Sequence, residues 1–190
     1  MKTSTLLFMF VIGFLTASVS AQEEMFFDAN WNSTTKAKAT YYRPIPKVHK
    51  NGFWIVDYYI NGNKQMEGFS LNDNPNNEKF HGLVKYYFEN GVLFQEINYD
   101  DGKINGTRKV HFESGKLKTI TNYLNDKKEG KYYEYYETGE LYSKGTFENN
   151  LREGSWKTFY KNGKIKEKGN YEKGEKAGTW KIFYKNLNKK

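Results

Sequence analysis

"GSWKTFYKNGKIKEKGNYEKGEKA" occupies residues 154–177, and its pattern recurs along the chain. Gly154, which opens it, belongs to a series of glycines at a constant spacing of 24 residues: Gly82, Gly106, Gly130, Gly154 and Gly178. Other columns repeat with the same period. An aromatic residue stands six positions after each of these glycines, and a second glycine stands nine positions after the first four. Repetition at this period is typical of proteins built from stacked structural units.

Each unit is predicted to be a β-hairpin. It has two reversal points, at the second glycine and again at Gly102, Asp126, Asn150 or Gly174, and these residue types tolerate positive φ. The runs between them are rich in aromatic and β-branched residues, which favour strands. No apolar period typical of a helix appears. The sequence therefore predicts an all-β fold: an elongated antiparallel meander, or solenoid, of 24-residue β-hairpin repeats over residues 82–190, with starts at 82, 106, 130, 154 and 178.

The segment before the regular array resembles it only loosely. Residues 51–81 echo the pattern at Trp54, Tyr59, Gly62 and Gly68, which predicts a degenerate first repeat or cap. Terminal units of repeat proteins are usually atypical, because they have a neighbouring unit on one side only. All three prolines lie before residue 82, and residues 22–50 are predicted to be an irregular lead-in.

The first 21 residues are typical of a signal peptide. Lys2 precedes an apolar core at residues 6–15, and small residues end at Ala21, where cleavage is expected. The alternative is an uncleaved membrane anchor, but that core is shorter than the roughly 20 residues a span needs. We expect export to the periplasm, the cell surface or the medium, and no transmembrane helix in the mature chain. The chain has no cysteine, so no disulfide can stabilise it.

Charge is distributed unevenly. Residues 151–190 carry 12 Lys and Arg against 4 Glu, whereas residues 22–150 carry 17 basic and 18 acidic residues. A basic end on a near-neutral body suggests an acidic protein, an anionic lipid or an anionic glycan as partner. Alternatively, these basic residues bind no partner and form a solvated surface that resists aggregation. The predicted export argues against nucleic acid.

The unit that opens at Gly154 shows the repeat pattern most completely, at these positions: Trp156, Phe159, Tyr160, Asn162, Gly163, Ile165, Gly169, Tyr171 and Gly174. This pattern resembles the MORN-type repeat, and it is similar to the bacterial variant found in YwqK-like antitoxin family proteins. Trp180, Phe183 and Tyr184 open the next copy. The resemblance implies an elongated β-hairpin array that binds proteins or lipids, with an antitoxin role as one form of protein binding.

The chain offers no catalytic constellation. Gly169 and Gly174 have the spacing of a phosphate-binding loop, but Glu175 stands where the essential lysine belongs. We interpret Gly169 as a strand glycine that makes room for a neighbouring aromatic ring. The three histidines have no neighbours at metal-ligand spacing. We therefore predict no enzyme, no catalytic residue, no metal site and no cofactor.

Aromatic residues are expected on both faces of the sheet, because side chains alternate along a strand. The stripe on one face includes Trp156 and Trp180, together with the aromatic column six residues after each opening glycine. The stripe on the other face consists of the column five residues after each opening glycine. At least one stripe should stay exposed as a groove, unless curling or dimerisation buries both. The candidate partner-binding residues are Tyr87, Tyr135, Trp156, Phe159, Trp180, Phe183, Lys161, Lys164, Lys166 and Lys168.

These observations predict an exported, non-enzymatic protein-binding or scaffold module, with an antitoxin-like neutralising partner as one version. The alternative is an envelope-surface module whose basic C-terminal third binds anionic lipid or glycan.

Overall fold

The computed structural model describes residues 24–184, which form one open antiparallel sheet. The strands follow chain order across the sheet, except that β3 pairs with β4 outside the main path. The strands are β1 Met25–Phe27, β2 Tyr41–Arg43, β3 Lys47–His49, β4 Gly52–Tyr59, β5 Lys64–Ser70, β6 Gly82–Tyr87, β7 Leu93–Asp100, β8 Lys103–His111, β9 Leu117–Leu124, β10 Lys127–Tyr135, β11 Leu141–Glu148, β12 Leu151–Phe159, β13 Ile165–Glu172 and β14 Glu175–Ile182. The predicted all-β meander of hairpins is confirmed. The predicted signal peptide lies outside the described residues.

The turn that ends each unit ties it to the previous hairpin. Both residues of the turns at 101–102, 125–126, 149–150 and 173–174 have positive φ, as two-residue hairpin turns of the primed type require. Asp126 donates its N–H to the carbonyl of Ile104 at 2.9 Å, and its Oδ1 accepts the N–H of Ile104 at 2.7 Å. Asn150 forms the same reciprocal pair with Lys128 at 3.0 and 2.7 Å. Asp and Asn therefore serve both as turn residues and as links between repeats.

The two faces of the sheet differ in character. We call the side that carries Val84, Thr121 and Trp156 the front face, and the side that carries Lys144 and Lys157 the back face. A row of neighbouring residues crosses the middle of the front face from β6 to β14: Val84, Ile97, Arg108, Thr121, Tyr132, Gly145, Trp156, Gly169 and Trp180.

Side-chain size is complementary along this front-face row. Tyr132 pairs with Thr121 on one side and with Gly145 on the other, whereas the indole of each tryptophan lies against glycine. A Cβ atom built on Gly145 would overlap the indole of Trp156, and one built on Gly169 would overlap that of Trp180. The prediction that Gly169 makes room for an aromatic ring is therefore confirmed.

A β-bulge near the end of the first strand of each unit shifts the register. It falls between Tyr86 and Tyr87 in β6 and between Thr158 and Phe159 in β12. Each strand ends just after the bulge, so the aromatic residue that follows lies at the turn.

The expectation that this aromatic column shares the front face with the tryptophans is wrong. Phe88 packs on Phe94 of the back face, with ring centroids 4.8 Å apart. In two later units the column also links repeats, because Tyr136 donates its hydroxyl to the carbonyl of Phe159 at 2.8 Å and Tyr160 donates to that of Phe183 at 2.7 Å.

Within residues 24–184, a buried apolar cluster lies on the front face toward the N-terminal end. Ile55, Met66, Phe80 and Val84 form the buried apolar cluster there. Beside it, buried Arg43 donates Nη2 to Asp57 Oδ2 at 2.8 Å and lies 2.7 Å from Glu78 Oε1. From β8 onward, the described strands make extensive contacts only with their neighbours in the sheet. The C-terminal half is thus a single layer that buries side chains against one another.

The size complementarity predicts the outcome of a paired substitution. Gly145→Thr forces a branched side chain beneath Trp156, and we expect it to lower the free energy of unfolding by about 1–3 kcal/mol through overpacking. The double variant Gly145→Thr/Trp156→Tyr recreates the pair that Thr121 and Tyr132 form one repeat earlier, so it should recover most of that loss. Urea denaturation of both variants and of Trp156→Tyr alone measures the coupling. Additive losses in the double variant would contradict the size rule.

Candidate binding surfaces

The residues predicted to bind a partner do not form one site. Trp156 and Trp180 lie on the front face, in β12 and β14. The other aromatic candidates end their strands on the back face or follow them: Tyr87, Tyr135, Phe159 and Phe183. Lys161 and Lys164 lie in the turn between β12 and β13, and Lys166 and Lys168 lie on the back face of β13. Their role in binding stays a prediction.

On the front face, five aromatic rings form a continuous ladder across β10 to β14. Neighbouring ring centroids lie 5.0–5.7 Å apart, most of them edge to face: Tyr132, Phe147, Trp156, Tyr171 and Trp180. This geometry is the preferred one for aromatic pairs. The ladder therefore supplies the C-terminal half with the burial that a second layer would otherwise provide.

Basic side chains lie over the ladder. The Arg152 guanidinium lies 4.7 Å from the Trp156 ring centroid and 5.2 Å from that of Tyr171, and it donates to the Tyr171 hydroxyl at 2.9 Å. Lys176 lies 4.0 Å above Trp180. Cations over aromatic faces attract the ring quadrupole. They also occupy the surface on which a ligand would stack.

Trp156 is 3% exposed, so contact between its ring and a partner would require Arg152 to move away. Burial raises the pKa of the Tyr132 hydroxyl, and the nearby carboxylate of Glu134 raises it further. Tyr132 is therefore neutral and donates to Glu134 Oε2 at 3.1 Å. On the front face of β10 to β14, the aromatic rings contact basic side chains of the same chain, so this surface is not an open groove.

The back face carries a row of lysines on four consecutive strands. Lys144 in β11 pairs directly with Lys157 in β12, Lys157 with Lys168 in β13, and Lys168 with Lys181 in β14. None of the four forms an ion pair within residues 24–184. Like charges directly opposite each other across strands are destabilising. We call these four residues the lysine row.

The same line of positions is charge-balanced earlier in the sheet. Glu67 in β5 pairs with Lys85 in β6, Lys85 with Glu96 in β7, and Glu96 with Lys109 in β8. Ile120 and Tyr133 follow before the lysine row begins. The repeat architecture therefore accommodates alternating charge at these positions, and the clustering of positive charge belongs to the last four strands only.

Two further rows flank the lysine row on the back face. On one side, Lys144 Nζ lies 5.8 Å from the Phe159 ring centroid and Lys168 Nζ lies 5.7 Å from that of Phe183. On the other side, Ser155 pairs directly with Asn170. Register shifts then place Glu153 opposite Thr146 and Ala177 opposite Asn170. The sheet thus presents the cations between aromatic rings on one side and the hydroxyl and amide groups of Ser155 and Asn170 on the other.

Sequence reasoning found Lys168 but missed Lys144, Lys157 and Lys181. A partial signal was present, because lysine stands three positions after four of the five opening glycines and fourteen positions after Gly130 and Gly154. Only the pairing register shows that these two columns lie opposite each other. Lys161 and Lys164, which were proposed instead, are exposed in a turn at the edge of the sheet.

The strand β14 forms an edge of the described sheet. It pairs with β13, and no second partner strand is present within residues 24–184. Its end is apolar and exposed: the exposed fraction is 56% for Ile182, 41% for Phe183 and 83% for Tyr184. An exposed apolar edge strand is a template for pairing with another chain.

The described residues show no arrangement suited to metal binding. No group of three or more His, Cys, Asp or Glu side chains comes together in residues 24–184. Gly169 lies within β13, and Gly174 lies in the turn that follows, so the glycine spacing that imitates a phosphate loop belongs to a hairpin. None of the described helical structure is long and apolar enough to cross a membrane.

Comparison with known protein families identifies the repeat. The model of the MORN repeat variant matches residues 80–101, 104–125, 128–149 and 152–173. These four tandem segments are therefore similar to the MORN repeat variant. Each match begins two residues before the glycine that opens a unit, and each spans one hairpin up to the first residue of its closing turn.

MORN repeat proteins are generally non-enzymatic modules that bind proteins or membranes. The finer resemblance to YwqK-like antitoxin proteins has no support beyond the repeat itself. No curated protein matches the chain. The similarity to the MORN repeat variant covers residues 80–173, and the ligand of this array has to be argued from its own surfaces.

The lysine row predicts opposite effects for one substitution at two positions. Lys157→Glu places a carboxylate between Lys144 and Lys168, so it should raise the free energy of unfolding, by up to about 1 kcal/mol at low ionic strength. Lys109→Glu places a carboxylate beside Glu96 and should lower it by a similar amount. Both effects should shrink as salt screens the charges.

Thermal denaturation at low and high salt tests this pair. Changes of the same sign in both variants would show that cross-strand charge does not govern stability here.

Proposed function

We propose that this protein is an exported, non-enzymatic scaffold whose MORN array binds a partner protein by accepting a strand at the edge of β14. The observation that carries the proposal is the place of β14 in the repeat. Its counterparts β8, β10 and β12 each pair with a strand on both sides, whereas β14 pairs only with β13 in the described chain. A partner strand would complete the repeat pattern.

The backbone of β14 is suited to strand addition. Phe183 donates its N–H inward to the carbonyl of Lys166 at 2.8 Å. Inward and outward N–H groups alternate along an antiparallel strand, so the N–H of Ile182 is directed outward. Main-chain hydrogen bonds to such an edge supply affinity, and alternate side chains supply specificity.

Trp180 would select the incoming strand. Within the array, Trp156 lies between Gly145 and Gly169, whereas Trp180 has Gly169 on one side only. A partner strand with a small residue opposite Trp180 would reproduce the environment of Trp156. The rule of size complementarity along the front face therefore extends to the partner.

Two finer features of the proposal rest on sequence. The apolar core and small residues of positions 1–21 support export, because they have the anatomy of a cleaved leader. The resemblance to antitoxin family proteins supports a neutralising role as one form of the binding, in which the captured protein loses its activity.

The test separates backbone pairing from side-chain contact. Residues 22–190 serve as bait for the envelope fraction of the source cells, with washes at low and then high salt and mass spectrometry of what remains. We expect one discrete protein to survive high salt on the natural chain and on Ile182→Val, which keeps the outward N–H. Ile182→Pro removes that donor at a position where an edge strand tolerates proline, and it should lose the protein.

Circular dichroism of Ile182→Pro serves as the control, and we expect the spectrum of the natural chain. Equal capture by Ile182→Pro and Ile182→Val would rule out strand addition at β14. Failure of the natural chain to retain any discrete protein at high salt would overturn the protein-binding function itself.

A further inference from the structure

We propose that the lysine row is a binding site for a linear anionic polysaccharide that runs across the strands on the back face. The site consists of Lys144, Lys157, Lys168 and Lys181, one from each of β11 to β14. It is separate from the edge of β14, and it does not depend on the proposed partner protein.

The charge pattern is the first argument. Four lysines in direct cross-strand register repel one another, whereas Glu67, Lys85, Glu96 and Lys109 alternate in sign on the same line of the same sheet. Local features that destabilise a fold without a compensating contact are expected at functional sites. An anionic ligand would supply the missing countercharge.

Spacing is the second argument. Neighbouring strands lie about 4.8 Å apart, so the four lysines extend in a line of about 15 Å. One strand spacing is close to the length of one pyranose residue in an extended chain. A linear polysaccharide with one carboxylate or sulfate on each sugar would therefore place a negative charge near each lysine in turn.

The flanking rows are the third argument. Lys144 and Lys168 lie over the rings of Phe159 and Phe183, so their ammonium groups are held toward the same side of the row. Ser155 pairs directly with Asn170 on the other side of the row. Hydroxyl and amide groups there suit the sugar hydroxyls between successive charges.

The same features disfavour other polyanions. Single-stranded nucleic acid is bound through aromatic faces on which bases stack, but lysines lie over the rings of Phe159 and Phe183. A bilayer attracts clustered basic residues without requiring that they be in register. A line of evenly spaced cations is matched best by a polymer with evenly spaced anions.

Binding of linear polygalacturonate tests the proposal, measured by calorimetry on residues 22–190. Fully methyl-esterified polygalacturonate is the matched ligand control, because it has the same backbone without the charge. The row variant carries Gln at Lys144, Lys157, Lys168 and Lys181. The control variant carries Gln at four exposed lysines near other turns, Lys103, Lys116, Lys127 and Lys173, so both variants have the same net charge.

We expect the natural chain to bind the charged polymer and not the ester. Affinity should fall at least about tenfold in the row variant and less than about threefold in the control variant, because only the row makes charge-assisted contacts in register. The row variant should be at least as stable to heat as the natural chain, since it removes repulsion, so lost binding cannot be attributed to unfolding.

Three results would overturn the proposal: equal losses in the two variants, equal binding of the charged polymer and its ester, or row-dependent binding that is tighter to an oligothymidylate or to phosphatidylglycerol vesicles. Ile182→Pro should bind the polymer normally. Failure at the edge of β14 and failure at the lysine row are therefore distinguishable.

Discussion

A sheet without a covering layer has to bury its apolar side chains within its own surface, and this constraint shapes the C-terminal half of the protein. The tryptophans solve the problem by lying flat across glycines of the neighbouring strands, where any side chain would overlap the indole. The space beside each glycine, which has no side chain, is filled by the indole of a tryptophan on the adjacent strand. Stability here comes from a row of large and small residues, whereas the buried apolar cluster of the described chain lies around Ile55 and Val84.

The sequence predicts the hairpins because each unit carries its own local signals. Turn residues that tolerate positive φ recur every 24 residues, and the structure places positive φ at Asp126 and Asn150 as that pattern requires. The role of Gly169 could also be predicted, since its column holds Thr121 and Gly145 in other units. These inferences needed no knowledge of which strand faces which.

Features that depend on the pairing register between strands could not be predicted from the sequence. The bulge beside Phe159 moves the next aromatic residue out of simple alternation, and no residue type in the sequence marks it. Lys144 and Lys157 are 13 residues apart, and only the pairing between units places them opposite each other. Candidate sites taken from composition therefore favoured the turn lysines, whereas the ordered positive charge lies within the strands.

The reciprocal hydrogen bonds of Asp126 and Asn150 join each turn to the hairpin before it, and they reach no further. Interactions are thus almost entirely between nearest neighbours, so folding should resemble the growth of a one-dimensional chain of coupled units. Within residues 24–184, the buried apolar cluster lies toward the N-terminal end, which makes that end the favoured place for growth to start. The strands most distant from it are then the first to open in local unfolding, and they are also the strands that carry the candidate ligand surfaces.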